Sequence, residues 1–390
     1  RDRSPSRGLG DVYKRQILGD VFVSALKAIA PLLVFFLVIS SLCNAGKSHG
    51  GVIKTVIILY MFSTVLAAVI AVFASMAFPV KMTLANAATD TSAPQGIVEV
   101  LNNLLLNVVA NPVSSLVNAN YVGILMWAVL LGLAFRAADK MTKKVLADVA
   151  DGISMVVTWI INLAPFGIFG LVFNTVSTNG LDIFTTYGKL LLLLVGCMLF
   201  IYFVTNPLLV YWCIRQNPYP LIFHCLKRSA LTAFFTRSSA ANIPVNMKVC
   251  EEMGLDRDTY SVTIPLGATI NMDGAAITIT VMTMATAFTL GIHVDIPTAI
   301  ILSLLAALSA CGASGVAGGS LLLIPMACSL FGISDDISMQ VVAVGFIIGV
   351  VQDSVETALN SSSDLLLSAS AEFRQWRLCL LYTSDAADDS

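Results

Sequence analysis

The sequence predicts an all-α polytopic membrane protein, and three observations carry that prediction. Of its 390 residues, 57% are hydrophobic and 12% are charged, whereas a soluble domain carries roughly 25% charged residues. Several apolar runs exceed the roughly 20 residues that a helix needs to cross a bilayer. Polar and glycine-rich stretches interrupt some of these runs in their middle. A transmembrane β-barrel would instead show short segments of alternating hydrophobicity.

In chain order, apolar segments fall at 17–43, 52–78, 97–135, 153–176, 185–214, 221–250, 259–292, 297–331 and 337–371. The first two read as plain spans, with Lys27 of the first snorkelling toward the surface. Asn111-Pro112 and "NANY" at 118–121 interrupt 97–135, which predicts several short helices there. The segment 221–250 carries "TRSSAANIPVNM" at 236–247, and 297–331 carries "ACGASGVAGGS" at 310–320. Each apolar arm is then roughly 12 residues long, too short to span alone. These arms predict two re-entrant helical hairpins. Irregular backbone at that depth is tolerated only under cover of protein or around a water-filled cavity. In 259–292, "GATINMDGAAITIT" places Asn271 and Asp273 between Gly267 and Gly274, which predicts a broken helix.

Lys and Arg set the orientation. They collect at Lys47 and Lys54; at Arg136, Lys140, Lys143 and Lys144; at Arg215, Lys227 and Arg228; at Lys248 and Arg257; and at Arg374 and Arg377. The intervening loops hold only Lys81 and Lys189. The alternation is consistent if both hairpins re-enter, the first from the cytoplasm and the second from outside. That is an inverted repeat of hairpin plus broken helix.

Other classes find little support. A formal net charge of −2 gives no basic footprint for nucleic acid. The eight cysteines are scattered, with no C-x-x-C pair, and read as small core residues. His49, His224 and His293 lie far apart, so zinc and haem have no ligand set. Residues 1–16 and 378–390 lack the pattern of the remainder and the layout of a signal peptide. Both are expected to be non-native sequence outside the fold.

Five ionisable residues lie deep in apolar segments: Arg237, Asp273, Asp353, Glu356 and Asp364. Charges at membrane depth are expensive and mark functional sites with named partners. Asp353, Glu356, Thr357, Asn360 and Asp364 recur at spacings of three or four and share one helix face. A helix break frees carbonyl oxygens, so Gly267 and Asn271 together with a carboxylate suit a sodium ion. Hairpin tips offer the opposite sign. Helix N-termini at Ser238, Ser239 and the 312–319 tip suit a carboxylate ligand. The residues therefore predict a small zwitterionic or anionic solute bound beside cations.

"TRSSAANIPVNM", "GATINMDG", "GASGVAGGS" and the final amphipathic helix together resemble the dicarboxylate/amino acid:cation symporter family, the glutamate-transporter fold. The likeness covers about 17–373 and is nearest the bacterial serine/threonine:sodium branch. The resemblance implies one sodium at the backbone oxygens of Gly267, Asn271 and Asn360 with the Asp364 carboxylate. It implies a second near Thr269, Ala310, Cys311 and Ala313. A third would use Asp273 with Asn271 and Tyr60, Ser63 and Thr64 of "LYMFST". The substrate carboxylate would meet Ser239, the N–H groups near Val316 and Gly318, and Asn360. Its ammonium would meet Asp353 beside Thr357, with Arg237 as charge partner to Asp353 and Glu356.

Departures from the family pattern sharpen this. Members that carry acidic substrates have arginine where this chain has Glu356, so a neutral amino acid is favoured. Ala240 and Ala275 replace hydroxyl residues, Ala317 replaces a proline, and the family has one more helix ahead of residue 17. The resemblance implies a sodium-coupled importer of serine and threonine, without an organic cofactor, in the bacterial plasma membrane. Residues 215–373 would move as a transport core against a 17–214 scaffold, in a homotrimer. The alternatives are an acidic amino acid or dicarboxylate symporter of the same fold, a channel, and an intramembrane hydrolase. A channel would show repeated filter loops or charged rings. For hydrolysis, no histidine stands near Ser238, Ser239 or Ser361 in sequence to act as base.

Overall fold

The computed structural model describes residues 5–44, 51–84, 106, 109–118, 120–163, 165–167, 169–170, 173, 183–311 and 318–388. The Lys27 side chain, Ala313, Val316 and Ala317 lie outside the described residues. Among the described residues every regular element is helical. Five segments are long and apolar enough to cross a membrane: Ile17–Asn44, Gly51–Ala77, Thr185–Ile214, Arg257–Thr289 and Asp335–Cys379. The first helix runs back to Pro5 and the last runs on to Asp388, through most of the two end stretches set apart by composition.

Local chemistry sets the element ends. Pro112–Val117 and Tyr121–Ala134 are separate helices, as the interruptions in that segment imply. Asn111 Oδ1 accepts the Val113 and Ser114 amides at 2.9 and 3.1 Å, and Pro112 follows as the first helical residue. A side-chain oxygen at the cap satisfies amides that have no helical partner. Asp256 and Asp295 cap Arg257–Ile270 and Ile296–Ala310 in the same way. Ile201–Thr205 is a single π turn ahead of Asn206-Pro207. Pro207 has no amide to return to the preceding turn, which widens the helix there.

Both interrupted segments fold back on themselves. The first runs through Tyr219–Cys225, a π turn at Leu226–Ala230, and Leu231–Thr236, then reverses at Arg237 and Ser238 into Ser239–Glu252. Its arms are tied by the Asn242 amide, which donates to Ser229 Oγ at 2.9 Å and to Ser361 Oγ of the last helix at 2.8 Å. Asn246 adds a bond to the Ser361 carbonyl at 2.8 Å. In the second, Ile296–Ala310 packs against Gly319–Leu323 and Ile324–Ser329. The break expected in each repeat occurs once among the described residues, at Asn271 and Met272; Asp335–Asp388 is a single helix. That helix has no Gly or Pro between Val350 and Arg374, and its polar side chains reach partners without rupture of the backbone.

Packing does not follow sequence order. Pro5–Asn44 lies against Tyr121–Ala134 and Lys140–Asn162. Gly51–Ala77 packs instead on Asp273–Thr289, Ile296–Ala310 and the last helix, and Ile183–Phe200 also meets the last helix. A boundary at 214 therefore does not separate two packing groups. Every residue from Asp273 to Ala287 is buried, Asp273 and four threonines included, which places this helix at the centre of the bundle. Small residues permit the close approach, since lipid gives helices no hydrophobic reason to associate. A Cβ on Gly274 would stand 2.9 Å from both Cα and Cγ of Glu356 and 3.0 Å from its carbonyl oxygen.

Gly274→Ala should therefore destabilise the fold by about 1–3 kcal/mol through overpacking against backbone. Gly188→Ala, with no neighbour within 4 Å of the added Cβ, should gain up to about 1 kcal/mol from helix propensity. Thermal unfolding in detergent compares the two. Equal behaviour would show that the contact at Gly274 relaxes freely.

Candidate functional site

The site begins with the gap in the broken helix. Asn271 (φ −96°, ψ 79°) and Met272 (φ −118°, ψ 54°) leave the helical region. Amides around the gap find side chains on other elements. Met272 N–H donates to Thr64 Oγ1 at 3.3 Å, and Gly274 N–H donates to Asn360 Oδ1 at 2.7 Å. The Gly267 carbonyl keeps an ordinary helical bond from Asn271 N–H at 2.9 Å. The gap thus leaves Gly267 only its second lone pair, contrary to the expectation of a freed oxygen.

Two buried carboxylates flank the gap. Asp273 opens the second arm, and Ser63 Oγ donates to its Oδ2 at 2.7 Å while Thr64 Oγ1 lies 3.1 Å from its Oδ1. Tyr60, expected beside them, turns elsewhere. Its hydroxyl donates to the Asp364 carbonyl at 2.9 Å and lies 2.8 Å from Ser368 Oγ. Asp364 Oδ1 accepts from Asn271 Nδ2 at 2.9 Å, and the Asn360 carbonyl lies 3.5 Å from the same nitrogen. A Cβ on Gly267 would stand 2.7 Å from Asp364 Oδ1 and 2.9 Å from the Tyr60 hydroxyl. Gly267, Asn271, Asn360 and Asp364 are thus brought together. Asn271 Oδ1 is buried and has no hydrogen-bond partner among the described residues. Buried acceptors are nearly always satisfied, and a hard cation would satisfy this one.

Ala310 and Cys311 end the first arm of the second hairpin, against the same break. Cys311 Sγ lies 3.7 Å from the Ile270 carbonyl. The Thr269 hydroxyl donates within its own helix, to Leu266 O at 2.7 Å.

The stripe on the last helix continues from the ion cluster toward the hairpin tips. Asp353, Glu356, Thr357 and Asn360 are all buried. Asp353 Oδ1 accepts the Gly318 amide at 3.3 Å. Arg237, in the left-handed region at φ 50°, is exposed at the first tip. Ser238 caps the returning helix, its Oγ accepting from Ala241 N at 3.2 Å, and Ser239 begins that helix. Glu356 is not paired with Arg237. Its Oε2 accepts from Thr278 Oγ1 at 2.7 Å, from Ser320 Oγ at 2.9 Å and from Gln352 Nε2. Sequence reasoning missed these three donors. Gln352 lies one turn before Glu356, so its place on the stripe was the available signal; Thr278 and Ser320 gave none beyond polarity.

The sodium site expected at Asp364 is tested by Asp364→Asn, which removes the carboxylate from the cluster and should weaken sodium binding. Sodium at about 100 times its Kd stabilises a folded protein by about 2.7 kcal/mol. The variant should lose most of that increment and keep the helical circular-dichroism spectrum. A sodium-dependent rise in melting temperature equal to that of the parent would remove Asp364 from the ligands.

A broken helix whose gap faces buried carboxylates is a feature found in cation-coupled carriers, and the relatives of this sequence agree. The profile of the sodium:dicarboxylate symporter family matches residues 11–372. The serine/threonine transporter SstT of Bifidobacterium adolescentis is 60% identical over 359 residues, which is 92% of this chain and 84% of that protein. The match extends over both hairpins, the helix break and the polar stripe, and the chain belongs to the sodium:dicarboxylate symporter family.

Proposed function

We propose that the protein is a sodium-coupled symporter that imports serine, threonine and similar small neutral amino acids. One observation carries the choice of substrate. Glu356 is a buried carboxylate on the stripe, held by neutral donors and with no cation at ion-pair distance among the described residues. The pocket therefore offers an acidic side chain no positive partner, and burying a carboxylate without one is costly. An acidic side chain would be rejected on that ground. The serine/threonine transporter that shares 60% identity with the chain supports the same reading. An acidic amino acid or dicarboxylate symporter, the runner-up, conflicts with Glu356.

In this reading sodium binds first, at Asp364 with the oxygens of Gly267, Asn271 and Asn360, and fixes the gap in the broken helix. Thr269, Ala310, Cys311 and Ala313 supply a second ion, and Asp273 with Ser63 and Thr64 a third. The substrate ammonium takes Asp353 and its carboxylate takes the amides at the two tips, beside Thr357. The hairpins, broken helix and last helix then move together. Gly51–Ala77 and Ile183–Phe200, which pack on that group, move with it. The helices Pro5–Asn44, Tyr121–Ala134 and Lys140–Asn162 form the static part, through which three copies assemble. The membrane is the plasma membrane of a bacterium.

Reconstituted liposomes test this directly. An inward sodium gradient should drive labelled serine above equilibrium, with threonine competing better than aspartate; uptake indifferent to sodium would sink the proposal. Asp353→Asn should abolish uptake, and normal uptake would remove Asp353 from the ammonium role. Glu356→Arg should admit aspartate. If it does not, pocket size rather than charge sets the selectivity.

A further inference from the structure

Glu356 stands in an unusual setting. It lies mid-span on the last helix and is buried. Three donors converge on it from three elements: Thr278 from the second arm of the broken helix, Ser320 from the second hairpin, and Gln352 from one turn earlier on its own helix. All three fall on Oε2. Gln352 Nε2 also donates to Thr278 Oγ1 at 2.8 Å, which closes a ring of Glu356, Thr278 and Gln352. The Gln352 carbonyl oxygen is buried with no partner among the described residues. Gln352 is therefore held by its amine end alone, turned toward Glu356 at the expense of its other end. The missing Cβ of Gly274 lets the Glu356 backbone and Cγ sit against the broken helix, so the carboxylate can reach this ring.

We propose that Gln352 and Thr278, assisted by Ser320, are specificity-positioning residues. They pin one oxygen of Glu356 and so present the other to the side-chain hydroxyl of the substrate. The inference rests on the proposed function and names the feature of the substrate that is read. With three donors on Oε2, the other oxygen of Glu356 keeps its acceptor capacity for an O–H. Fixing it beforehand removes the ordering cost at binding. A site arranged to bond a hydroxyl discriminates well against an analogue that lacks one, because its own polar group is then left unpaired. Serine and threonine carry that hydroxyl; alanine does not. Released from the ring, Glu356 would sample several rotamers and the preference would fade.

The full-length chain in liposomes tests this, with sodium-driven uptake of serine and of alanine measured side by side. Thr278→Val keeps the shape and removes the hydroxyl. It should raise KM for serine about tenfold and leave KM for alanine within about twofold, with unaltered sodium dependence. Gln352→Leu should act in the same direction, and Thr278→Ser should restore the parent preference. Equal shifts for serine and alanine would overturn the inference and mark the ring as packing alone. So would a Thr278→Ser variant as impaired as Thr278→Val. If a variant fails to fold, Ser320→Ala offers an independent cut of the same cage, read by the same ratio. A parent chain that cannot accumulate serine under a sodium gradient overturns the proposed function and this inference together. A parent that accumulates serine while the variants shift both substrates equally overturns only the inference.

Discussion

Asn271 and Met272 leave the helical conformation inside a fully buried segment, and the amides around them have no water to turn to. In a bilayer each polar group left unpaired costs several kcal/mol, so the gap dictates what must surround it. Thr64 and Asn360 take amides that the ladder no longer serves. Asp364 takes the Asn271 side chain, and Tyr60 then spans from Asp364 to Ser368. Residues up to 308 positions apart in sequence are joined through this one break. The orphaned oxygen of Asn271 has no partner among the described residues, and the proposed sodium would give it one.

This constraint also explains why the packing groups ignore chain order. Gly51–Ala77 brings Tyr60, Ser63 and Thr64 to the gap, so it has to lie against the broken helix. Its small residues Ala67, Ala68 and Ala71 are fully buried, and they continue the same face. The second long contact of the early chain is looser in character. Phe22 of the first helix meets Phe346 of the last edge to face at 5.4 Å, an apolar contact with no hydrogen bond to break.

Much of this was legible in the sequence. The apolar runs, the two interruptions and the "NMDG" break are composition and glycine placement, and both survive translation into helices. The stripe from Asp353 to Asp364 was legible because a period of three to four residues has one meaning on a helix. Three features were not. The last helix stays whole because Asn360, Ser361 and Asp364 find partners on neighbours, which periodicity does not report. Tyr60 points to Asp364 rather than Asp273, a choice made by packing. The cage around Glu356 draws on single polar residues in three separate segments, and pairing of that kind is invisible along one chain.

The two carboxylates that matter most on the last helix, Glu356 and Asp364, share no hydrogen-bond partner among the described residues. Glu356 leans on Thr278, Ser320 and Gln352, and Asp364 leans on Asn271. Mutations in disjoint sets of partners behave almost additively. For a lineage of carriers, this means that cargo preference and energy source can be inherited as separable traits. Drift in the cage can try out new nutrients while the ion gradient goes on powering uptake, so a population need not lose its pump to change its diet.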